Sequence, residues 1–318
     1  MAHSGDVLFL DKTHPLLMEK LTGVGYHCFY GDGLSRDDLL EIMPSLTGII
    51  VRSRLKLGRE ELQHARKLKF IGRVGSGLEN IDVDYAQSRG IACLNSPEGN
   101  RNAVGEHAAG MLLALVNHIC RANEEVRQGV WSREKNRGTE LRGKTLGIIG
   151  YGHTGSSFAR CMAGFGMQVL AYDKYKTGFG TREVKEVGMD AIFNESHVLS
   201  LHVPLTSETR YLVNESFIER FKHHIYLVNT SRGAVIHTSD AVRALDRGRI
   251  RGLALDVLEY EHLSFESLEM ADLPENFLYL ARHPSVILTP HVAGWTHESL
   301  VQLSEVLFEK IRALNPVW

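Results

Sequence analysis

Residues 145–155 read TLGIIGYGHTG, an apolar run followed by Gly150, Gly152 and Gly155 in the spacing G-x-G-x-x-G. The first glycine permits a tight turn, the second lets the backbone approach a pyrophosphate, and the third lets a helix pack closely on the strand. A helical pattern begins within the motif, so the N–H groups at its start would face the phosphates. The stretch predicts the first strand, turn and helix of a Rossmann fold. A glycine turn that serves packing alone is the alternative interpretation.

The next strand, MQVLAYD, predicts the nucleotide specificity because it ends in Asp173. A carboxylate at this place accepts hydrogen bonds from the ribose hydroxyls and repels a 2′-phosphate, which favours NAD over NADP. Lys174 and Lys176 follow closely and would partly neutralise that charge. The cofactor-binding residues predicted in the turn itself are Gly150, Tyr151, Gly152, His153, Thr154 and Gly155.

The motif begins almost halfway along a chain of 318 residues, a length that usually divides into two domains. Short apolar runs alternate with helical patterns on both sides of it, which is typical of parallel sheets. We therefore expect two Rossmann-like, doubly wound α/β domains. The predicted strands are DVLFL, YHCFY, TGIIVRS, KFIGRVG and IACLN before the motif, and MQVLAYD, HVLSLHVPL, IYLVNTS, RGLALDV and SVILTPH after it.

Two helical patterns are longer than the rest. Residues 102–128 form one long pattern rich in Ala, Leu and Met, which predicts a connecting helix that is buried by another domain or by a second subunit. A second pattern covers residues 296–314 near the end of the chain. The front hundred residues are therefore expected to form a domain of their own, joined through a helix to the domain with the glycine turn.

Composition narrows the classes of function. The net charge is −2 and no basic run occurs, so nothing supports a nucleic-acid partner. No apolar stretch approaches the roughly 18 residues of a membrane span, and the first residues do not resemble a signal peptide. The cysteines are scattered without metal-ligand spacing, which predicts reduced thiols and no bound metal. We expect a cytoplasmic protein.

Three apolar runs after the motif end in ionisable residues. YLVNTSRG leads to Arg232, LALDVLEYE to Asp256, Glu259 and Glu261, and VILTPH to His291. Ligands collect outside the carboxyl ends of parallel strands, so these groups should meet beside the glycine turn. Arginine offers a planar fork for a carboxylate or keto oxygen, and histidine can take or return a proton near neutrality. A carboxylate behind the histidine would fix its tautomer and favour the imidazolium.

Other interpretations of these groups exist. Each could serve structure alone, as a surface arginine, a core histidine or a solvated loop carboxylate. A hydrolase would also use serine, histidine and an acid, but the chain lacks the G-x-S-x-G elbow that such an enzyme places before them.

The chain resembles the D-isomer-specific 2-hydroxyacid dehydrogenases from about residue 45 onward. The matching stretches are GRVGSGLENID, GKTLGIIGYGHTG, LHVPLTSETRYLVN, LVNTSRGAVI, GLALDVLEYE and LTPHVAG. The resemblance implies a discontinuous, flavodoxin-like substrate-binding domain, residues 1–100 plus 292–318, with an NAD-binding Rossmann domain, residues 101–291, inserted into it. It also implies a homodimer that forms through the 102–128 region.

The resemblance further implies roles for individual residues. Arg232 would bind the 2-oxo acid, His291 would be the acid/base, and Glu261 would pair with it. Asp256 would hold the nicotinamide amide, Pro204 and Thr230 would line the cofactor, and the loop Val74, Gly75, Ser76 and Gly77 would present N–H groups to the substrate carboxylate. The chain departs from the family at His262, where proline is usual, and in a longer segment before His291. Glu259 is therefore the alternative partner of the histidine.

The identity of the 2-hydroxy acid is less determined. Arg52 and Arg54 follow one strand of the front domain and Arg73 ends another, and arginines facing a cleft would suit a phosphate. Arg52 and Arg73 thus favour a 3-phosphoglycerate dehydrogenase-like enzyme, expected here in a short form without a regulatory domain. A solvated rim is the other interpretation of these arginines. A glyoxylate/hydroxypyruvate reductase and a non-catalytic NAD-sensing protein remain the alternatives.

Overall fold

The computed structural model describes residues 4–261 and 273–314, which form two compact units. One unit contains residues 4–101 and 295–314, and the other contains residues 102–261 and 273–294. These limits lie within a few residues of those expected from the sequence. The assignment of the first unit to substrate binding stays a prediction.

Both units are built from parallel strands with helices between them. The strands are β1 (Gly5–Phe9), β2 (Tyr26–Tyr30), β3 (Gly48–Val51), β4 (Phe70–Arg73), β5 (Ala92–Asn95), β6 (Thr145–Ile149), β7 (Gln168–Tyr172), β8 (Val184–Glu186), β9 (Val198–Leu201), β10 (Ile225–Asn229), β11 (Ile250–Leu255) and β12 (Val286–Leu288). The helices are α1 (Pro15–Gly23), α2 (Arg36–Ile42), α3 (Arg59–Leu62), α4 (Val83–Ser88), α5 (Pro97–Val116), α6 (Ile119–Arg127), α7 (His153–Met162), α8 (Met189–Glu195), α9 (Glu215–Glu219), α10 (Thr238–Asp246), α11 (Glu275–Arg282) and α12 (His297–Leu314). Short 3₁₀ helices follow α2, α7 and β10.

The first unit is a five-stranded parallel sheet in the order β2-β1-β3-β4-β5. This is the flavodoxin-like order: β2 is added on one side of β1, and β3, β4 and β5 are added on the other side, so the strand order reverses between β1 and β3. β3 is buried along its whole length, as a parallel strand covered on both faces must be. The terminal helix α12 belongs to this unit and packs its apolar side chains, Leu303, Leu307, Phe308 and Ile311, into the core beside β1 and β4.

The second unit is a seven-stranded parallel sheet in the order β12-β11-β10-β9-β6-β7-β8. The strand that carries the glycine motif, β6, lies between β7 and β9, so the strand order reverses at this point. Crevices at such reversals are where doubly wound sheets bind ligands. The two parallel sheets confirm the predicted fold class.

One sequence prediction about the helices is wrong. Residues 102–128 do not form a single helix, because α5 ends at Val116 and α6 begins at Ile119. His118 between them adopts the left-handed conformation, with a φ of 54°, which interrupts the helical hydrogen bonds. The short strand β8 was also missed, since three residues at the edge of a sheet carry little periodicity.

The α5–α6 region combines a half-buried helix with a mostly polar, exposed helix that carries two exposed apolar side chains. About half of α5 is buried, whereas Ile119 and Val126 of α6 are 53% and 52% exposed. Among the described helices, no single one is both long and apolar enough to cross a membrane. The pair α5–α6 meets that criterion only when both helices are taken together across their 61° bend.

Candidate active site

The glycine turn after β6 is sterically restricted at two of its three glycines. A Cβ on Gly150, which has a φ of 91°, would lie 2.4 Å from the carbonyl oxygen of His202. A Cβ on Gly155 would lie 2.1 Å from the carbonyl oxygen of Gly150. Gly152 differs, because a Cβ there would meet no described atom within 4 Å. Gly150 and Gly155 are therefore required by packing, while the space beside Gly152 suits the approach of a ligand.

Helix α7 begins in this turn without a capping side chain. Gly152 is its N-cap residue and offers no side-chain acceptor. The backbone N–H groups of Thr154 and Gly155 make no hydrogen bond with any described residue. Uncapped N–H groups at a helix start favour a bound anion, and a phosphate is the common one. The turn thus has the free donors and the space that a pyrophosphate needs.

Asp173 follows β7 and is held by three backbone donors. Its carboxylate accepts hydrogen bonds from Tyr151 N–H at 2.8 Å and from Tyr175 and Lys176 N–H, both at 3.0 Å. Each carboxylate oxygen can accept more than one hydrogen bond. The carboxylate is therefore oriented beside the glycine turn with acceptor capacity left for hydroxyl groups.

The ammonium of Lys174 pairs with the carboxylate of Glu208. Its Nζ lies 2.7 Å from Glu208 Oε2, and the Tyr175 hydroxyl donates to the same oxygen at 2.6 Å. The hydrogen bond from Lys174 is the main cause that lowers the pKa of the Glu208 carboxyl. Lys174 thus forms its ion pair with Glu208, and the partial neutralisation of Asp173 by the nearby lysines stays a prediction.

The carboxyl ends of β10, β11 and β12 bring the predicted catalytic side chains together. These strands are neighbours in one parallel sheet, and Arg232, Asp256 and His291 follow them in turn. Because β6 belongs to the same parallel sheet, the glycine turn opens on the same edge.

His291 lies within hydrogen-bond distance of one of the two candidate carboxylates. Its Nδ1 lies 2.7 Å from Glu261 Oε2, and the other oxygen of Glu261 accepts a hydrogen bond from Leu258 N–H. Both side chains are largely buried, at 24% and 17% exposure. His291 adopts a φ of 55°, and its N–H donates to Asp256 O at 2.8 Å. Because water has little access to the two side chains, they are held in one geometry and compete less with solvent for their hydrogen bond.

Glu259 is engaged elsewhere. Its carboxylate accepts hydrogen bonds from the Tyr211 hydroxyl at 2.6 Å and from Thr238 N–H at 3.0 Å. Burial raises the pKa of Glu259, but these hydrogen bonds outweigh it and the net pKa is lowered. The structure therefore places Glu261, and not Glu259, against His291.

Asp256 ties down the loop that carries His291. The residue is 1% exposed, and its carboxylate accepts from the Thr289 hydroxyl at 2.5 Å and from the N–H groups of Val292 and Ala293, both at 2.9 Å. Contacts on both sides of His291 fix the backbone at its unusual φ. The predicted contact between Asp256 and the nicotinamide amide stays a prediction.

The side chain of Thr230 is a second feature that suggests a bound ligand. Its hydroxyl is buried and has no hydrogen-bond partner among the described residues. Buried hydroxyls without partners are rare in folded proteins, and one at a strand end is satisfied by a ligand or a water molecule. Arg232 lies two residues further and donates from Nη1 to Ser231 O at 2.7 Å. Pro204 follows β9, and its carbonyl accepts from the Thr209 hydroxyl at 2.6 Å.

Two histidines in this unit were missed from the sequence. His202 after β9 lies between Ser200 Oγ, 2.9 Å from Nε2, and Thr154 Oγ1, 3.2 Å from Nδ1. His107 on α5 lies 3.1 Å from Thr289 Oγ1 and contacts Asp256 at 3.6 Å. A polar residue within the apolar run VLSLHVPL was the signal for His202, whereas His107 follows Glu106 on a helical pattern and is not marked in this way.

The loop after β4 offers fewer donors than the sequence suggested. The Val74 N–H donates to Val51 O at 3.0 Å, and the Gly75 N–H donates to Ser96 Oγ at 3.3 Å. The backbone N–H groups of Ser76 and Gly77 make no hydrogen bond with a described residue. The N–H groups of Val74 and Gly75 are already used within the fold, so the predicted carboxylate-binding donors are those of Ser76 and Gly77.

Arg52 and Arg73 lie at the carboxyl ends of neighbouring strands, β3 and β4. The Arg73 Nε donates to Arg52 O at 3.2 Å, and its guanidinium lies against Gly75. Arg54 differs, because its guanidinium donates to the carbonyl oxygens of Leu10, Gly31 and Leu34. Arg54 therefore serves the fold.

Residues 109–293 match the family model described as "D-isomer specific 2-hydroxyacid dehydrogenase, NAD binding domain". The chain belongs to this family. The matched segment contains the glycine turn, Asp173, Arg232, Glu261 and His291, so the cofactor of the second unit is NAD. The departure at His262 lies outside the described residues.

Relatives differ in the acids that their names mention. The chain is 36% identical to a D-3-phosphoglycerate dehydrogenase from Archaeoglobus fulgidus, over 88% of this chain and 51% of that protein. It is also 36% identical to a hydroxypyruvate reductase from Thermotoga maritima, over 97% of this chain and 96% of that protein. The chain thus spans about half the length of the first and nearly all of the second.

A solved structure shares the fold over nearly the whole chain. D-lactate dehydrogenase from Aquifex aeolicus, complexed with NAD and lactic acid, superposes with a TM-score of 0.82 at 32% identity. The likeness covers 97% of this chain and 95% of that one.

Proposed function

We propose that the protein transfers a hydride between NAD(H) and a D-2-hydroxy acid/2-oxo acid pair. The observation that carries the proposal is the buried His291–Glu261 pair, which lies on the same sheet edge as the glycine turn. When bound, NAD supplies the hydride acceptor or donor. Three features fit the binding of NAD: the uncapped start of α7, the open space at Gly152, and the Thr230 hydroxyl, which has no partner among the described residues.

His291 is the proposed acid/base. Its Nδ1–H donates to Glu261, which leaves Nε2 as the nitrogen that exchanges a proton with the substrate oxygen. In reduction, the imidazolium gives its Nε2 proton to the keto oxygen as that oxygen gains negative charge. Glu261 stabilises the imidazolium before the transfer. Arg232 is proposed to bind and orient the 2-oxo acid through its guanidinium.

For the substrate we propose 3-phosphoglycerate/3-phosphohydroxypyruvate. Arg52 and Arg73 support it, since two guanidinium groups at adjacent strand ends suit a dianionic tail. Ser76 and Gly77 N–H groups are the donors proposed for the substrate carboxylate. The relative named hydroxypyruvate reductase, matched over nearly its whole length, makes the unphosphorylated acid the second candidate.

A turnover assay decides between these acids. NADH oxidation is followed with 3-phosphohydroxypyruvate, hydroxypyruvate and glyoxylate, and we expect the highest kcat/KM for the phosphorylated acid. Arg73→Ala should lower the ratio of kcat/KM for phosphohydroxypyruvate to that for hydroxypyruvate by roughly tenfold, because a charge-assisted hydrogen bond contributes about 1.5–3 kcal/mol. Equal efficiency of both acids in the parent would exclude the phosphorylated substrate. Turnover of none of them would favour the non-catalytic alternative.

A homodimer is proposed to form through the α5–α6 region. Ile119 and Val126 of α6 are exposed apolar side chains, and Val130 and Trp131, which follow the helix, are exposed as well, Trp131 to 80%. Several exposed apolar side chains close together in the sequence are consistent with an interface. Light scattering after size exclusion should give twice the chain mass of 35.6 kDa, and Val126→Asp should shift it toward the monomer. A monomeric parent would contradict the proposal.

A further inference from the structure

Arg52 has an unusual environment in the first unit. Its guanidinium carbon lies 4.1 Å from the ring centroid of Trp295, so the cation sits over the face of the indole. No described residue accepts a hydrogen bond from this guanidinium or forms an ion pair with it. Asp11, a nearby carboxylate, is occupied by backbone donors, the Arg52 N–H at 2.6 Å and the Arg54 N–H at 3.2 Å.

This environment costs free energy unless an anion binds there. Burial lowers the pKa of the Arg52 guanidinium, and the Asp11 carboxylate opposes that change to a smaller extent. The group nevertheless stays charged, because arginine is not deprotonated in proteins. A half-buried cation that makes no hydrogen bond with the described residues has lost part of its hydration without compensation.

Stacking determines which part of the guanidinium a ligand can reach. The indole shields the guanidinium carbon from one side, while the N–H donors lie in the guanidinium plane and point outward from its edge. Two parallel N–H groups on that edge match the oxygens of a phosphate. Without the indole, the Arg52 side chain would regain rotamers, and ligand binding would have to remove that freedom again. Trp295 thereby preorganises Arg52.

Trp295 has no evident role in the core. It is 51% exposed, whereas the residues that α12 contributes to the core are almost fully buried. Its position two residues before α12 places it in the same unit as Arg52. A large aromatic residue in an exposed position, with an arginine as its stacking partner, is better explained by what it does to that arginine.

We propose that Trp295 is a specificity-determining positioning residue, which holds Arg52 edge-on for the phosphate of the substrate. The inference rests on the proposed substrate and deepens it. It assigns to the indole the difference between phosphorylated and unphosphorylated acids, and it assigns no role in proton transfer. Trp295 thus acts through Arg52 and does not touch the reacting atoms.

The test compares specificity ratios among three variants. Trp295→Ala should lower the ratio of kcat/KM for phosphohydroxypyruvate to that for hydroxypyruvate by roughly fivefold or more, mainly through the KM of the phosphorylated acid, the size expected for a partly desolvated cation–π contact. Trp295→Phe keeps a ring face and should restore most of the ratio. Tyr85→Leu removes another stacked aromatic in the same unit, from Arg59 at 4.8 Å, and should leave the ratio as in the parent.

The outcomes separate the two proposals. If the parent uses both acids equally well, the proposed substrate is wrong. If the parent prefers the phosphorylated acid and Trp295→Ala keeps that preference, the role of Trp295 is wrong. A loss that Trp295→Phe does not rescue would also overturn it. Should the alanine variant fail to fold, as judged by circular dichroism, Trp295→Leu tests the same contact with more apolar volume retained.

Discussion

His202 makes the folding of the second unit dependent on pH. Its imidazole is buried against Phe158 and lies within hydrogen-bond distance of Ser200 and Thr154. Burial lowers the pKa of His202 to about 3, because the charged form cannot be hydrated there. In the unfolded chain the same group titrates near its ordinary value of about 6.5. Below that pH the unfolded state therefore binds one more proton than the folded state.

The sign and size of the effect follow from this difference. Stability is lost as the pH falls through 6.5, and the loss continues until the folded pKa is reached. Between pH 7 and pH 5, one such histidine lowers the free energy of unfolding by about 2 kcal/mol, from a slope of about 1.36 kcal/mol per pH unit below 6.5. His202→Gln removes this proton uptake, so its unfolding free energy should change by about 2 kcal/mol less over the same range.

The assay is urea unfolding at pH 7 and pH 5, followed by circular dichroism at constant ionic strength. The absolute stability of His202→Gln can differ from the parent, because only the change with pH is compared. His224→Gln is the matched control, since this side chain is exposed in the same unit and its replacement should leave the pH dependence as in the parent. Equal pH dependence in the parent and in His202→Gln would refute the reasoning.

The remaining predictions concern the cofactor and the proton. Asp173→Asn should reduce the preference for NADH over NADPH, measured as the ratio of kcat/KM, because the charge that repels a 2′-phosphate is gone; comparable use of both cofactors by the parent would contradict it. Gly152→Ala should keep the melting temperature but weaken NADH binding measured by fluorescence, as the added methyl would occupy open space that a pyrophosphate needs, and undiminished binding would argue against that site. His291→Ala should lower kcat by roughly 10²–10⁴, as for a lost general acid. Glu261→Gln should make reduction fail at a lower pH than in the parent, and an unchanged pH profile would remove Glu261 from the mechanism.

The local chemistry of the site could be predicted from the sequence because it depends on neighbouring residues. Glycine spacing after an apolar run specifies a strand, a turn and a helix within a dozen residues, and β6, the turn and α7 follow that pattern. Charged residues directly after apolar runs are brought to one edge by any parallel sheet, which is why Arg232, Asp256 and His291 could be grouped before the strand order was known.

The tertiary structure alone decided which of these groups touch. Glu259 and Glu261 are two residues apart and chemically alike. Only the packing of their loop brings Glu259 into contact with Tyr211 and Glu261 into contact with His291. Likewise, Lys174 is adjacent to Asp173 in sequence, yet its ammonium pairs with Glu208 from another loop.

Long-range contacts and desolvation explain what the sequence could not predict. Trp295 and Arg52 are far apart along the chain, and no local sequence pattern predicts that they are in contact. The burial that lowers the pKa of His202 is likewise a property of the assembled unit, as is the lack of a partner for the Thr230 hydroxyl among the described residues. The sequence by itself determined the residue types and their places at strand ends, because these follow from covalent order and periodicity. Pairing, burial and charge were decided by the fold, since they depend on residues that only folding brings together.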